Sequence, residues 1–366
     1  MSEIQQKMRA MVLTGHGGPE VLEYHEDWPV PQLGAGEVLI KVHACGLNNT
    51  DINTRTGWYS KGVTGATETG AQDTAEDEDA TWGGAPITFP RIQGADVAGT
   101  VVAAADDVGK HLIDKRVLVD TWVRDWNDPM NMEKCGYFGS ETDGGYADYT
   151  KADARNVHAI DSALNNAELA TFATSYVTAE NMLNRANVGE GDTVLIPGAS
   201  GGVGSALIQL AMRRGAKTIA MASEAKHDQV RSVAPDALLP RAPVNLKAAL
   251  KNAIGRNSVS VVADVVGGDG FGTLIDALER GGRYTCAGAI AGPIVEFDLR
   301  TFYLKDLTFT GATIVPPGTF ADLVGYIERG EIKPLLAETF ALKDLNAAQA
   351  AFTAKNHLGN IVVVLE

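Results

Sequence analysis

The sequence predicts an α/β fold in which a doubly wound parallel sheet is joined to a second, β-rich domain. After residue 190, short apolar strands alternate with amphipathic helices, the pattern of a parallel sheet covered on both faces. The first 150 residues instead hold short strand patterns separated by glycine- and proline-rich turns. A chain of 366 residues is long enough for two such domains.

A glycine-rich turn marks the centre of the predicted parallel sheet. Residues 193–197 are predicted as a buried strand and residues 202–213 as a helix. Between them lies the dinucleotide fingerprint with alanine in its first place, formed by Ala199, Ser200, Gly201, Gly202, Val203 and Gly204. Gly201 lets the backbone approach a pyrophosphate, and Gly204 lets the helix pack closely against the strand. The N-terminus of the helix offers free N–H groups to the pyrophosphate. The pattern favours a Rossmann nucleotide site over an ordinary strand-to-helix turn.

The remaining elements follow from the same apolar periodicities. Strands are predicted at 11–14, 21–24, 38–44, 91–104, 116–122, 217–222, 259–264, 282–286, 307–311 and 360–365. Helices are predicted at 166–186, 226–233, 271–278, 320–329 and 345–355. Residues 61–90 show neither period and carry an acidic run, which predicts an inserted loop, either a lid near a pocket or a solvated acidic loop.

Composition limits the function classes. The chain has no apolar span of 18 residues and no signal-peptide pattern, so we expect a cytoplasmic protein without a membrane helix. Its net charge of −15 opposes binding to nucleic acid or to an anionic membrane and otherwise bears mostly on solubility. The expected partner is a small-molecule substrate. Three scattered cysteines, Cys45, Cys135 and Cys286, are too few for a disulfide framework or a four-cysteine zinc site.

Six short motifs occur in a characteristic order. They span residues 46–51, 94–99, 143–147, 198–204, 264–267 and 281–284. Their joint spacing resembles that of the medium-chain dehydrogenase/reductase superfamily over nearly the whole chain. The resemblance implies a β-rich, chaperonin-10-like (GroES-like) catalytic domain at residues 1–160, completed by 330–366, and a Rossmann domain at 161–329. It further implies an active site in the cleft between the domains and a homodimer or homotetramer.

The superfamily divides into zinc alcohol dehydrogenases and zinc-free reductases of the quinone oxidoreductase, or zeta-crystallin-like, type. The resemblance implies that zinc ligands would stand at Asn48, at Ala95-Asp96 and at Thr174. Asparagine, alanine and threonine cannot supply the thiolate and imidazole ligands that catalytic zinc requires. An improvised set of His43, Cys45 and Asp96 is a weaker alternative, because such residues in a core strand usually serve packing. The sequence therefore predicts no metal.

The residues after the second strand of the Rossmann domain indicate the cofactor. An NAD site places an acid there, whereas an NADP site places a cation for the 2′-phosphate. The position of the acid matches Met221, while Ser223 and Lys226 match the pattern of NADPH reductases. Arg241 ends the third strand and is expected to reach the adenine or the phosphate. Glu224 leaves NAD possible, since it can bind a ribose diol unless it is merely a solvated residue.

The resemblance also assigns the reacting end of the site. The nicotinamide is expected to contact Thr178 and the backbone at Ala287 and Gly288, and Gly267 and Asn360 complete the predicted cofactor site. Without metal, a quinone or enone must be polarised by hydrogen-bond donors. The predicted catalytic residues are Asn48, Tyr59 and Thr174 as donors, and Asp51 as a residue that orients its neighbours through backbone contacts or Arg55.

Three functions follow as alternatives. The first is an NADPH-dependent, zinc-free reductase of a quinone, an enone or a related carbonyl. The second is a zinc-type alcohol dehydrogenase with altered ligands. The third is a non-enzymatic member of the superfamily that only binds the cofactor.

Overall fold

The β-rich part of the chain forms two main sheets. In the computed structural model, which describes residues 5–67 and 86–365, most of the predicted insertion at 61–90 lies outside the described residues. The elements of this part are β1 (Lys7–Leu13), β2 (Leu22–Pro29), β3 (Glu37–Gly46), α1 (Asn49–Thr56), β4 (Arg91–Ile92), β5 (Asp96–Ala104), β6 (Arg116–Val119), β7 (Trp122–Val123), β8 (Gly136–Tyr137), β9 (Tyr149–Asp153) and β10 (Val157–Ala159).

The next part alternates helices with strands. Its elements are α2 (Asn166–Leu169), α3 (Ala173–Arg185), β11 (Thr193–Pro197), α4 (Gly202–Arg213), β12 (Lys217–Ala222), α5 (His227–Arg231), β13 (Ala237–Pro240), α6 (Leu246–Ile254), β14 (Val259–Asp264), α7 (Phe271–Asp276), β15 (Leu278–Cys286), α8 (Leu299–Leu304), β16 (Thr308–Gly311) and α9 (Thr319–Glu328). The chain closes with β17 (Leu336–Ala341), α10 (Leu345–Ala354) and β18 (Asn360–Val364).

Six parallel strands form the central sheet, in the order β13-β12-β11-β14-β15-β16. Numbered within the sheet this order is 3-2-1-4-5-6, the doubly wound arrangement of a dinucleotide-binding domain. The strand order reverses between β11 and β14, which opens a crevice at their carboxyl ends. The predicted α/β class with a doubly wound parallel sheet is confirmed.

The last strand returns to the first domain. β18 lies antiparallel to β3, with Val362 opposite Gly46 and Val363 opposite Cys45, and it lies parallel to β17. The larger sheet of the β-rich part therefore runs β10-β6-β5-β3-β18-β17, and β9 also pairs with β3. Residues from both ends of the chain share one apolar core around this sheet.

Several elements differ from the sequence prediction. The strand predicted over 91–104 is β4 and β5, and that over 116–122 is β6 and β7, each pair lying in different sheets. Neither α6 nor α8 was predicted. The helix predicted over 166–186 is two helices, because a turn at Ala170–Phe172 separates α2 from α3. β17 was not predicted, since it lies at a sheet edge and its mostly exposed residues lack an apolar alternation. α7 ends two residues earlier than predicted, because Leu278 already begins β15. No helix in the described ranges is long and apolar enough to cross a membrane.

Candidate active site

The loop between β3 and α1 holds two of the predicted catalytic residues. Asp51 accepts a hydrogen bond from the Asn48 backbone N–H at 2.8 Å and another from the Tyr146 hydroxyl at 3.0 Å. Burial raises the pKa of Asp51 to about 7, although these two hydrogen bonds oppose the shift. Arg55 binds the Gly17 carbonyl and Gln349 instead, so Asp51 orients the loop through the backbone.

The Asn48 side chain lies at the base of this loop beside Asp96, whose pKa it lowers. Its Nδ2 atom is buried and forms no hydrogen bond to the described residues, and the same holds for Oδ2 of Asp96. A buried donor without a partner is costly, so such groups commonly serve a ligand or a reaction. The Asn48 amide is therefore available to a substrate oxygen.

A threonine on α3 meets the β-rich domain at this point. Oδ1 of Asp96 accepts hydrogen bonds from both the backbone N–H, at 2.8 Å, and the hydroxyl of Thr174. The Thr174 hydroxyl also lies 2.7 Å from the hydroxyl of Tyr137. Burial raises the pKa of Asp96 to about 6, against the lowering effect of the Thr174 and Asn48 side chains. The Thr174 proton is thus engaged with Asp96 whenever that carboxylate is ionised.

Two aromatic residues after α1 form one wall of the site. The Tyr59 ring lies 5.7 Å from the Trp58 ring, and both pack with Val63 against Ala289 from the parallel-sheet domain. Burial raises the pKa of Tyr59, so its hydroxyl stays protonated and can donate, although the Thr50 and Asn53 side chains oppose the shift. This wall spans the junction of the two domains.

The fingerprint turn has the geometry expected for a phosphate site. Gly201 is the N-terminal cap of α4. The first N–H groups of a helix point out of its N-terminal end and have no partner within the helix. Gly359 donates a backbone hydrogen bond to the Ser200 carbonyl at 3.2 Å. Beside it, Asn360 binds the Thr171 carbonyl and Ser175, and a Cβ on Gly202 would lie only 2.5 Å from Oδ1 of Asn360. The Asn360 side chain thus packs against the fingerprint turn at Gly202.

Two cations, Lys226 and Arg241, follow the carboxyl ends of β12 and β13. Nζ of Lys226 is 3.5 Å from Oγ of Ser200 and donates to the His357 carbonyl at 2.8 Å. Burial and then the charge of Arg241 lower the pKa of Lys226, which indicates that the two cations are close. Ser223 caps the short turn that holds Lys226.

Two residues near these cations were considered for the binding of an NAD ribose. Met221 is buried in the core, and Glu224 is solvent-exposed. A cation pair with a serine hydroxyl fits a phosphate monoester better than a ribose diol.

The nicotinamide end of the predicted site lies where β14 and β15 finish. Asp264 accepts hydrogen bonds from the Val266 and Gly267 backbone, and Gly267 has a φ of 61° that favours glycine. Ala287 and Gly288 follow β15, while Thr178 lies one helical turn after Thr174 on α3. Gly267, Ala287 and Gly288 therefore lie at the carboxyl ends of the parallel strands, where a Rossmann domain can bind a dinucleotide.

Alanine substitutions separate the roles of two fingerprint glycines. A Cβ on Gly204 would lie 2.3 Å from the Gly198 carbonyl oxygen, so Gly204→Ala should lower the free energy of unfolding by about 1–3 kcal/mol. A Cβ on Gly201 comes no nearer than 3.5 Å to the same oxygen. We expect Gly201→Ala to melt like the wild type and to bind cofactor about tenfold more weakly, because the methyl group blocks the pyrophosphate. Thermal melting and cofactor titration test the pair, and undiminished binding by Gly201→Ala would contradict the assignment.

Comparison with known proteins identifies the family. The chain matches the family model of the alcohol dehydrogenase GroES-like domain over residues 34–162 and that of the zinc-binding dehydrogenase over residues 202–329. The solved structure of a candidate alcohol dehydrogenase from Sinorhizobium meliloti 1021 is 43% identical, with a TM-score of 0.89, over 100% of this chain and 99% of that one. This chain belongs to the medium-chain dehydrogenase/reductase superfamily.

More distant relatives in the superfamily carry two activities in their names. A quinone oxidoreductase from Mus musculus is 28% identical over 360 residues, covering 96% of this chain and 95% of the relative. An NAD-dependent alcohol dehydrogenase from Sulfolobus acidocaldarius is 26% identical over 355 residues, covering 93% and 95%. This medium-chain dehydrogenase/reductase is therefore an oxidoreductase that uses a nicotinamide cofactor, and the non-enzymatic alternative is not supported.

The metal positions of this superfamily member do not fit zinc. Thr174 is hydrogen-bonded to Asp96, and neither these two residues nor Asn48 supplies a thiolate or an imidazole. The improvised ligand set is not assembled either, because the His43 ring is bonded to Thr100 at 2.9 Å while Cys45 is fully buried. Across residues 5–67 and 86–365, no three His, Cys, Asp or Glu side chains form a group that could hold a metal ion.

Sequence reasoning missed two tyrosines of the site. Tyr146 lies in the motif at residues 143–147, which signalled the superfamily but not the hydrogen bond to Asp51. Tyr137 lies outside every strand and helix that the sequence predicts, and no local pattern marks it.

Proposed function

We propose that this oxidoreductase reduces a quinone, an enone or a related carbonyl with NADPH and without catalytic zinc. The observation that carries the proposal is the buried Asn48 amide, whose Nδ2 atom forms no hydrogen bond to the described residues. It lies beside Asp96, which binds Thr174, where a metal-dependent relative would hold its ligands. An amide donor polarises a carbonyl oxygen by hydrogen bonding, whereas a zinc ligand must donate an electron pair. Full-length similarity to quinone oxidoreductases supports this choice.

The phosphate-binding end supports NADPH as the cofactor. Lys226 lies beside the Ser200 hydroxyl and senses the charge of Arg241, and Ser223 begins the turn that carries Lys226, so this group could bind a 2′-phosphate. When bound, the reduced nicotinamide supplies a hydride to the substrate. Gly201 and the N-terminus of α4 would hold the pyrophosphate through backbone N–H groups.

Side chains of the protein stabilise the negative charge that develops on the substrate oxygen. Nδ2 of Asn48 and the hydroxyl of Tyr59 donate hydrogen bonds to that oxygen. Asp51 holds the Asn48 backbone, and Tyr146 holds Asp51, so the amide is fixed before substrate enters. Donors fixed in a buried site stabilise an oxyanion more than water does, because they need no reorganisation.

Turnover with and without metal tests the proposal. We expect oxidation of NADPH with a panel of enones and quinones, and unchanged rates after treatment with a chelator and dialysis. Elemental analysis of the purified protein should find zinc far below one atom per chain. A stoichiometric zinc ion whose removal abolishes alcohol oxidation would instead support the zinc-type alcohol dehydrogenase, the function in the name of the relative from Sulfolobus acidocaldarius.

A further inference from the structure

A continuous chain of hydrogen bonds joins three side chains of the site and ends at a carboxyl group. It joins the hydroxyl of Tyr137 to the hydroxyl of Thr174 at 2.7 Å, and the latter to Oδ1 of Asp96. All three side chains are buried, with Asp96 1% exposed and Tyr137 6% exposed. Such a chain allows a proton to pass between groups that water does not reach directly.

The protonation of Asp96 sets the direction of this chain. When Asp96 is ionised, Thr174 must donate to it, and Tyr137 must then donate to Thr174, since each hydroxyl has one proton. When Asp96 carries a proton and donates it to Thr174, both hydroxyls reverse and the Tyr137 proton is released towards the site. The group nearest to this chain is the Asn48 amide, whose side chain interacts with Asp96.

We propose that Tyr137 is the catalytic proton donor of the reduction and that Asp96 resupplies it through Thr174. This inference rests on the proposed enone reduction, and it goes further by naming the source of the second hydrogen. The O–H bond of Tyr137 breaks as a C–H bond forms at the electron-rich α-carbon of the reduced enone. The phenolate takes the proton of Thr174, Thr174 takes that of Asp96, and solvent reprotonates the carboxylate.

The surroundings of Asp96 favour its protonated form. Cys45 from β3, Asp51 from α1, and the buried Tyr137 and Tyr146 face it, and none of them is a cation. Glu141 holds the Tyr137 backbone N–H at 2.8 Å and adds another acidic neighbour. Burial raises the pKa of Asp96 to about 6, so a proton is available close to neutral pH. Tyr59, by contrast, has the neutral side chains of Thr50 and Asn53 as its hydrogen-bond partners, while Asp51 and Glu141 act on it only through their charge.

Stereochemistry and pH dependence test the relay. With an α-methyl enone and NADPH, we expect wild-type enzyme to protonate one face of the α-carbon. Its kcat should fall as pH rises through about 6, because Asp96 then loses the proton that loads the relay. Tyr137→Phe should lose the facial selectivity and about 100-fold in kcat. Asp96→Asn should lose the pH dependence.

Three further variants keep the test independent of folding. Thr174→Ser retains the hydroxyl and should keep the facial selectivity and the pH dependence of kcat. Thr174→Val lacks the hydroxyl and should lose both. Tyr176→Phe removes another buried tyrosine hydroxyl, bonded to the Lys333 carbonyl at 2.7 Å, and should leave both properties unchanged. If Tyr137→Phe keeps the wild-type selectivity and pH profile, the relay is wrong while the reductase function stands. If the wild type oxidises no NADPH with any enone or quinone, the proposed function and the relay fail together.

Discussion

Reversing the charge of Lys226 is expected to raise the KM for NADPH by about 100-fold or more and to leave the KM for NADH within a few-fold of wild type. Lys226 lies 3.5 Å from Oγ of Ser200, and Arg241 is close enough to lower its pKa. A charge-assisted hydrogen bond to phosphate contributes about 1.5–3 kcal/mol, and Lys226→Glu replaces this attraction by repulsion. NADH lacks the 2′-phosphate and should not sense the change. Steady-state kinetics with both cofactors measures the effect.

A matched control separates the 2′-phosphate contact from the general field of the protein. Lys217 is exposed at the opposite end of β12, so Lys217→Glu makes the same change of charge far from the carboxyl-end crevice. That variant should leave both KM values unchanged. An equal rise in the KM for NADPH and NADH in Lys226→Glu would show that the residue does not select the phosphate. Glu224→Gln should have little effect, because Glu224 is solvent-exposed.

Local sequence patterns predict the elements at the nucleotide end of the site. The fingerprint, β11 and α4 are contiguous in the chain, and the packing of Gly204 against Gly198 needs no distant partner. The charge of a lysine follows from its residue type alone. The sequence therefore predicts Lys226 as a ligand of the 2′-phosphate from its place after β12. The prediction of a continuous helix over 166–186 was wrong, because alanine-rich residues favour helix on both sides of a turn that tertiary contacts impose.

The catalytic end required contacts between residues far apart in the chain. Asp96 and Thr174 are separated by 78 positions, and Tyr137 and Thr174 by 37. The sequence indicated Thr174 as a donor, yet only the structure shows that its proton is shared with Asp96. Asn360 was predicted at the cofactor, and its contacts with Ser175 and Thr171 show how it also holds the fingerprint turn in place. Side-chain roles of this kind depend on tertiary packing, which no short pattern encodes.

Removing the Asn48 amide is expected to lower kcat for enone or quinone reduction by about 100-fold, the usual cost of losing one oxyanion donor. Nδ2 of Asn48 is buried and has no partner among the described residues, so its hydrogen bond remains for the developing charge on the substrate. Asn48 also caps α1, and its replacement by alanine should cost about 1 kcal/mol of stability. Thermal melting of Asn48→Ala therefore accompanies the kinetic measurement.

The neighbouring asparagine makes the kinetic result specific. Asn49 binds Nζ of Lys355 at 2.9 Å, away from Asp96 and Thr174, so Asn49→Ala should melt slightly earlier and retain kcat. Tyr59→Phe should lose about as much kcat as Asn48→Ala, because the two side chains are proposed to donate to the same oxygen. If donors fixed around one oxyanion carry the rate, the double variant should lose less than the product of the two single losses, since their effects are coupled. Undiminished kcat in Tyr59→Phe would leave Asn48 as the donor that acts without Tyr59.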